Sequence, residues 1–175
     1  MKRFLLILVV AVVFALPAFA EFRADIGVDI PRGIGGVVDN NADISKEAVD
    51  FFNEYIFPIP EGGLYYQHPF GPVRIGVGAR IYTFILESIF WPNAFVEADL
   101  WKFTFELQTG GALFGMFGLY NNIEFGKVFI PDLSAWFRIG KTFRIGAGAT
   151  GLMIPEMTDD LVFVYYLGAK FALTF

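Results

Sequence analysis

Of the 175 residues, 55% are hydrophobic and 18% aromatic, with 22 Phe, which is more apolar side chain than a soluble domain ordinarily carries. Beyond the N-terminus, charges or glycines interrupt every apolar stretch short of the roughly 18 residues a helical span needs, so a closed β-barrel is left as the way to satisfy backbone groups in lipid. A net charge of −5 argues against a nucleic-acid partner, and a chain with no Cys and one His offers no disulfide, no thiolate and no metal-ligand spacing, so neither metal nor cofactor is expected.

The chain opens with Lys2 and Arg3, an apolar run from Phe4 to Leu16, and the small-x-small sequence Ala18-Phe19-Ala20. This three-part pattern predicts a secretory signal over 1–20 and an exported domain over 21–175. Without Lys2 and Arg3, 11 basic residues face 18 acidic ones, a mature net charge of −7.

Phe22 to Ile30 alternates strictly, with Phe22, Ala24, Ile26, Val28 and Ile30 on one face and Arg23, Asp25 and Asp29 on the other, which predicts a strand ending at Pro31. From Arg32 to Pro72 alternation is lost, so a long external loop is expected. Within it Ser45 caps a short amphipathic helix whose Ala48, Val49, Phe52, Tyr55 and Ile56 share a face and which Pro58 ends. Val73 to Leu86 resumes period two, Glu87 to Asn93 reads as a turn, and Ala94 to Gln108 is a strand whose phase slips at Leu100-Trp101, where a bulge would restore register. Two further strands are expected over 112–120 and 123–130, then Leu133 to Gly140, a tight hairpin at Gly140–Thr142, a strand from Phe143 to Thr150, and a terminal strand. Thr109–Gly111, Pro131-Asp132 and Ile154–Asp160 are read as the other external connections. The total is an eight-stranded antiparallel transmembrane barrel with both termini at one end.

The terminal stretch LVFVYYLGAKFALTF would be about 50 Å long if extended. Every odd position from Leu161 to Phe175 is apolar, a continuous face that suits lipid, and the stretch exceeds the 9–11 residues or so that a tilted span needs. A soluble, lipocalin-like barrel would instead need a solvated exterior, which a face such as Trp101, Phe103, Phe105 and Leu107 does not provide.

The opposite parity then faces the lumen. It carries Arg23, Arg74, Arg80, Lys102, Arg138, Arg144 and Lys170 against Asp25, Asp29, Glu97, Asp99, Glu106 and Glu124, close to balance, which predicts an interior ionic network plugging a barrel only wide enough for side chains. Gly76, Gly78, Gly146, Gly148 and Gly168 share this parity and are expected to make room for the long cationic side chains. Toward the external ends the lumenal positions turn apolar, with Trp136, Leu152, Ile154, Val162, Val164 and Tyr166. Three adjacent strands would thus line an apolar chamber above an ionic floor, covered by the segment around Phe52.

The mature chain resembles the small bacterial outer-membrane β-barrels of the OmpW and OmpX kind, through its signal peptide, its period-two patterning and its end, where Phe175 follows Leu173 and Phe171. The resemblance implies an outer-membrane destination, lipid as surroundings, and a barrel-insertion machinery that reads Phe171, Leu173 and Phe175. It also implies that a small hydrophobic ligand enters the chamber, as such barrels admit; the alternative is a structural or surface-interaction barrel with a plugged interior. Some barrels of this size are lipid-A acyltransferases or deacylases with His, Ser and an acid at the rim, for which His68, Ser134 and Asp132 are the available residue types, but no enzyme is expected.

Overall fold

The computed structural model describes residues 20–37, 50, 54–84, 86–118, 124–153 and 161–175. In chain order the strands are β1 (Glu21–Val37), β2 (Ile59–Phe70), β3 (Val73–Phe84), β4 (Glu87–Leu100), β5 (Phe103–Gly111), β6 (Phe114–Gly118), β7 (Glu124–Gly126), β8 (Phe129–Ile139), β9 (Phe143–Leu152) and β10 (Leu161–Thr174). The eight long strands follow the order β3-β2-β1-β10-β9-β8-β5-β4, and β3 pairs with β4 to close the ring, all antiparallel. First and last strands zip together from Arg23 opposite Thr174 to Val37 opposite Leu161, and the Phe175 amide donates to the Phe22 carbonyl at 2.8 Å. Closure through β3 and β4 leaves the ring without a free edge strand, the condition for a sheet surrounded by lipid.

The wall is inverted relative to a soluble protein. Leu64 is 70% exposed and Leu133 62%, on the outer parity, whereas Glu97 and Trp136, on the inner parity, are 0% exposed. An apolar coat of this extent around a charged interior is the surface of a transmembrane barrel. Three short connections, Gly71-Pro72, Trp101-Lys102 and Gly140–Thr142, lie at the end that carries the termini, and the strand ends at Val37, Ile59, Phe84, Glu87, Leu152 and Leu161 lie at the other.

The eight-stranded barrel is as predicted, but its membership differs. The chain does not leave the sheet at Pro31: β1 runs on to Val37 through a register shift between Pro31 and Gly33, a bulge that accommodates the proline's missing N–H. Within the expected first loop, Ile59–Phe70 is a full strand, with Ile59, Glu61, Tyr65 and Gln67 inward and Leu64 and Tyr66 outward. Pro60, Gly62, Gly63 and Pro69 obscure its alternation. The helix expected around Ser45 to Phe57 falls mostly outside the described residues; of it Asp50 and Glu54 are helical and exposed.

Glu87–Asn93 is strand rather than turn, and the phase slip at Leu100-Trp101 is a two-residue hairpin rather than a bulge, since Leu100 pairs with Phe103. Trp101 takes a φ of 54°, the positive value such tight hairpins demand, and Arg138 holds the turn by donating to the Trp101 carbonyl. Thr109–Gly111 and Pro131-Asp132 are likewise inside strands. Pro92 lies opposite Ala79 of β3; on its other side β6 pairs with β4 only over Glu87–Phe90 and β5 only from Asn93 onward, so no strand on that side needs its N–H. The strands expected over 112–120 and 123–130 are the short β6–β7 hairpin, stacked above β5 on the same neighbour, β4.

Candidate ligand cavity above an ionic core

Period-two alternation sends charged side chains from every wall of the lower barrel to its axis. Arg23 donates to Asp25 (2.6 Å), Glu97 (2.7 Å) and Glu106 (3.2 Å). Lys170 donates to Glu106 at 2.5 Å and Arg144 to Glu97 at 2.9 Å, while Arg74 bonds Glu97 and, at 2.7 Å, Asp99. Arg138 and Thr104 complete Asp99 at 2.7 and 2.6 Å. Five cations thus enclose four carboxylates, and each carboxylate has a close cationic partner. Arg23 and Lys170 are each 1% exposed, so this layer is closely packed.

Aromatic side chains fill what the charges leave. The Arg23 guanidinium lies 4.8 Å from the Phe95 ring centre, and Lys170 Nζ 4.3 Å from that of Trp136, whose indole N–H donates to Ser134 at 2.8 Å. The interior glycines serve these rings rather than the cationic chains for which the sequence suggested them. Gly76 faces Phe95, Gly78 faces Tyr65, Gly148 faces Tyr166, Gly146 faces Trp136, and Gly168 faces both Asp29 Oδ1 and Trp136. Lys102 is also not lumenal: it sits in the β4–β5 turn beside the rings of Trp101 and Phe137.

Above this core lies a second layer around Arg80. Its Nε and Nη2 reach Glu61 at 2.9 and 2.6 Å, and its guanidinium is 3.4 Å from both Asp29 and Asp132. Tyr82 donates to Asp29 at 2.7 Å, while Tyr166, at 3.1 Å, and Thr150 donate to Asp132.

On top of the Arg80 layer, toward the loop end, is a cavity of about 310 Å³. Ile59, Tyr82, Phe84, Ile89, Trp91, Phe114, Val128, Ile130, Leu152, Val164 and Tyr166 supply its walls, and Asp29, Pro31, Thr150 and Gly151 complete an almost wholly apolar lining. Trp91, Val128 and Ile130 form a buried cluster against which Tyr82, Ile89 and Phe114 pack. The volume is at the small end of the range of about 300–1,000 Å³ typical of pockets for small organic molecules.

Of the predicted chamber residues, Leu152, Val164 and Tyr166 line this space. Trp136 does not: it is fully buried against Lys170 and Tyr166, and is part of the floor. Val162 is half-buried outside the lining, and Phe52 and Ile154 lie outside the described residues. The walls come from strands all round the ring rather than from three neighbours, because β2 and the first half of β4, read as loop and turn, supply Ile59, Ile89 and Trp91. The alternation Ile89, Trp91, Asn93, Phe95 was the available signal, masked by Pro92.

The hydrolytic constellation does not assemble. His68 shares the outward parity of Leu64 and Tyr66 and stacks on Phe70, whereas Ser134 and Asp132 point inward from β8, on the far side of the ring. At the chain's end Phe171 and Phe175 are exposed on the outer wall and Leu173 is half-buried, with Phe171 against Phe143 at 4.9 Å between ring centres.

No protein-family profile matches the chain, and no curated protein matches its sequence. Solved structures do. The N-terminal β-barrel domain of Pseudomonas aeruginosa OprF is 10% identical with a TM-score of 0.50, over 86% of this chain and 97% of that one. Neisserial surface protein A is 8% identical with a TM-score of 0.46, over 87% and 96%. The attachment invasion locus protein Ail of Yersinia pestis is 13% identical with a TM-score of 0.40, over 88% and 99%. At such identities the likeness concerns fold, and it is the OprF domain that carries it: the chain has the fold of a small eight-stranded β-barrel of the outer-membrane kind.

Proposed function

We propose that the protein is an outer-membrane barrel that holds a small hydrophobic ligand in its loop-end cavity and lets nothing through its ionic core. The observation that carries this reading is the juxtaposition of an apolar cavity of about 310 Å³ with a sealed, charge-paired layer beneath it. A well-packed core would leave no such space, since interiors rarely hold voids larger than a water. In the same reading, residues 1–20 direct export, lipid surrounds the outer wall, and Phe171, Leu173 and Phe175 are what the insertion machinery recognises. The role is binding, not catalysis.

Titration of the refolded barrel with the fluorescent apolar probe N-phenylnaphthylamine tests this. Binding is expected to saturate and to weaken about tenfold or more with Val164→Phe, which crowds the cavity by the 1–3 kcal/mol or so typical of overpacking. Leu133→Phe on the outer wall should leave it unchanged. Absence of saturable binding, with heat-modifiable migration confirming the fold, favours the second reading, a structural or surface-interaction barrel. Its supporting observation is that ionic core, which makes the lower barrel a rigid plug.

A further inference from the structure

We infer that the cavity takes a hydrocarbon without a polar head, about two aromatic rings in size, and rejects hydroxylated and carboxylated forms of the same molecule. The inference rests on the ligand-site reading above and adds what the surface of the ligand must lack.

Polar side chains border the space, yet each turns its polar atoms elsewhere. Tyr82 and Tyr166 stand in the wall, and their hydroxyls donate to Asp29 at 2.7 Å and to Asp132 at 3.1 Å, so ring carbon is what faces the cavity. Thr150 spends its hydroxyl on Asp132 as well. The indole nitrogen of Trp91 lies over Gly110 of β5. Asp29 Oδ1, which has no donor, lies against Gly168 and beside the Trp136 ring of the floor rather than in the opening. Gly151 keeps its place in the β9–β10 ladder, opposite Phe163. Among the described residues, then, the lining presents a guest with carbon.

A hydroxyl carried into such a space loses its hydrogen bonds and regains none, and a carboxylate loses far more. A hydrocarbon forfeits nothing on entry. Size follows from volume: an apolar cavity of about 150 Å³ takes one benzene. At about 310 Å³ this one has about twice that room. The rings of Tyr82, Phe84, Trp91, Phe114 and Tyr166 around it suit an aromatic guest, whose edges and faces pack against theirs.

The test uses the full barrel in zwitterionic nanodiscs on a Trp101→Phe background, which removes the exposed indole and keeps Trp91 as reporter at the cavity. Biphenyls with bromine at one end and a methyl, a hydroxyl or a carboxylate at the other are titrated in parallel. The methyl and hydroxyl forms have nearly the same shape, so they differ in polarity alone. Concentrations are those dissolved in the bilayer, measured in empty nanodiscs, and indole quenching by bromine is read relative to Val164→Phe, with Ile130→Phe as a second blocking variant. The methyl form is expected to bind about tenfold more tightly than the hydroxyl form, the cost of a buried hydroxyl without a partner, with the carboxylate weakest. A hydroxyl or carboxylate form that comes within about threefold of the methyl form overturns the inference and leaves the ligand site standing. Quenching by none of the three, or quenching that both blocking variants leave unchanged, overturns the ligand site and this inference together.

Discussion

The two halves of the lumen are built on opposite principles. In the half nearest the termini, Glu97 takes bonds from Arg23, Arg74 and Arg144, and Glu106 from Arg23 and Lys170, so opposite charges meet directly and rings are wedged onto glycines. In the loop-end half, aromatic and aliphatic side chains stand around an opening, and acids outnumber the one cation beneath it. The contrast teaches where a narrow barrel can do something other than hold itself together. Tight packing and dense charge pairing give rigidity; the region that relaxes both is the one with room for a partner.

The comparison breaks most forcefully at Glu97. Replacing it with Leu leaves three guanidiniums without their shared acid, and a loss of about 3–5 kcal/mol is expected from urea unfolding in detergent micelles. A loss under about 1 kcal/mol would mean that the lower half is not held by its charges.

A matched pair of truncations sharpens the contrast next. Trp136→Ala, in the ionic half, should cost about 3–5 kcal/mol, whereas Trp91→Ala, which borders existing space, should cost at least about 1 kcal/mol less, because a site beside a cavity collapses more readily around a truncated side chain. Equal costs would erase the distinction between a filled half and an open one.

Gly78→Ala probes the packing between halves. A methyl there meets the Leu64 carbonyl and Tyr65, backbone as well as ring, so a loss of about 1–3 kcal/mol is expected from the same unfolding measurement.

The smallest effect on stability belongs to the outer wall. Phe175→Ser should move unfolding by no more than about 0.5 kcal/mol, since the ring is 78% exposed, yet it should lower the yield of heat-modifiable barrel in membrane fractions. Unchanged yield would remove Phe175 from the assembly signal.

What could be read in advance varied with how cleanly a strand alternates. β10, β9, most of β8 and β3, and the Phe103–Leu107 part of β5 show both faces in sequence, and their inward residues are those seen inside. β2 was invisible because Gly62, Gly63 and Pro60 interrupt its outward and inward sets alike. The first half of β4 was lost to Pro92, whose tolerance depends on a gap between two neighbouring strands that no local pattern records. Trp136 was assigned to the right face and the wrong height, because height follows from the stagger of strands around a closed ring.

By itself, then, the sequence determined the class: strands rather than helices, an apolar outside with a charged inside, and a terminal strand whose odd face, through Leu167 and Phe171, points outward while Lys170 points inward. These follow from period two, a property of each strand alone. Only the tertiary structure decided which strands close the ring, which cation meets which acid, and that Ile59, Trp91, Phe114 and Val164 surround one space with Asp29 at its floor. Those are matters of register between segments far apart in the chain, and register is set by the whole closed sheet at once.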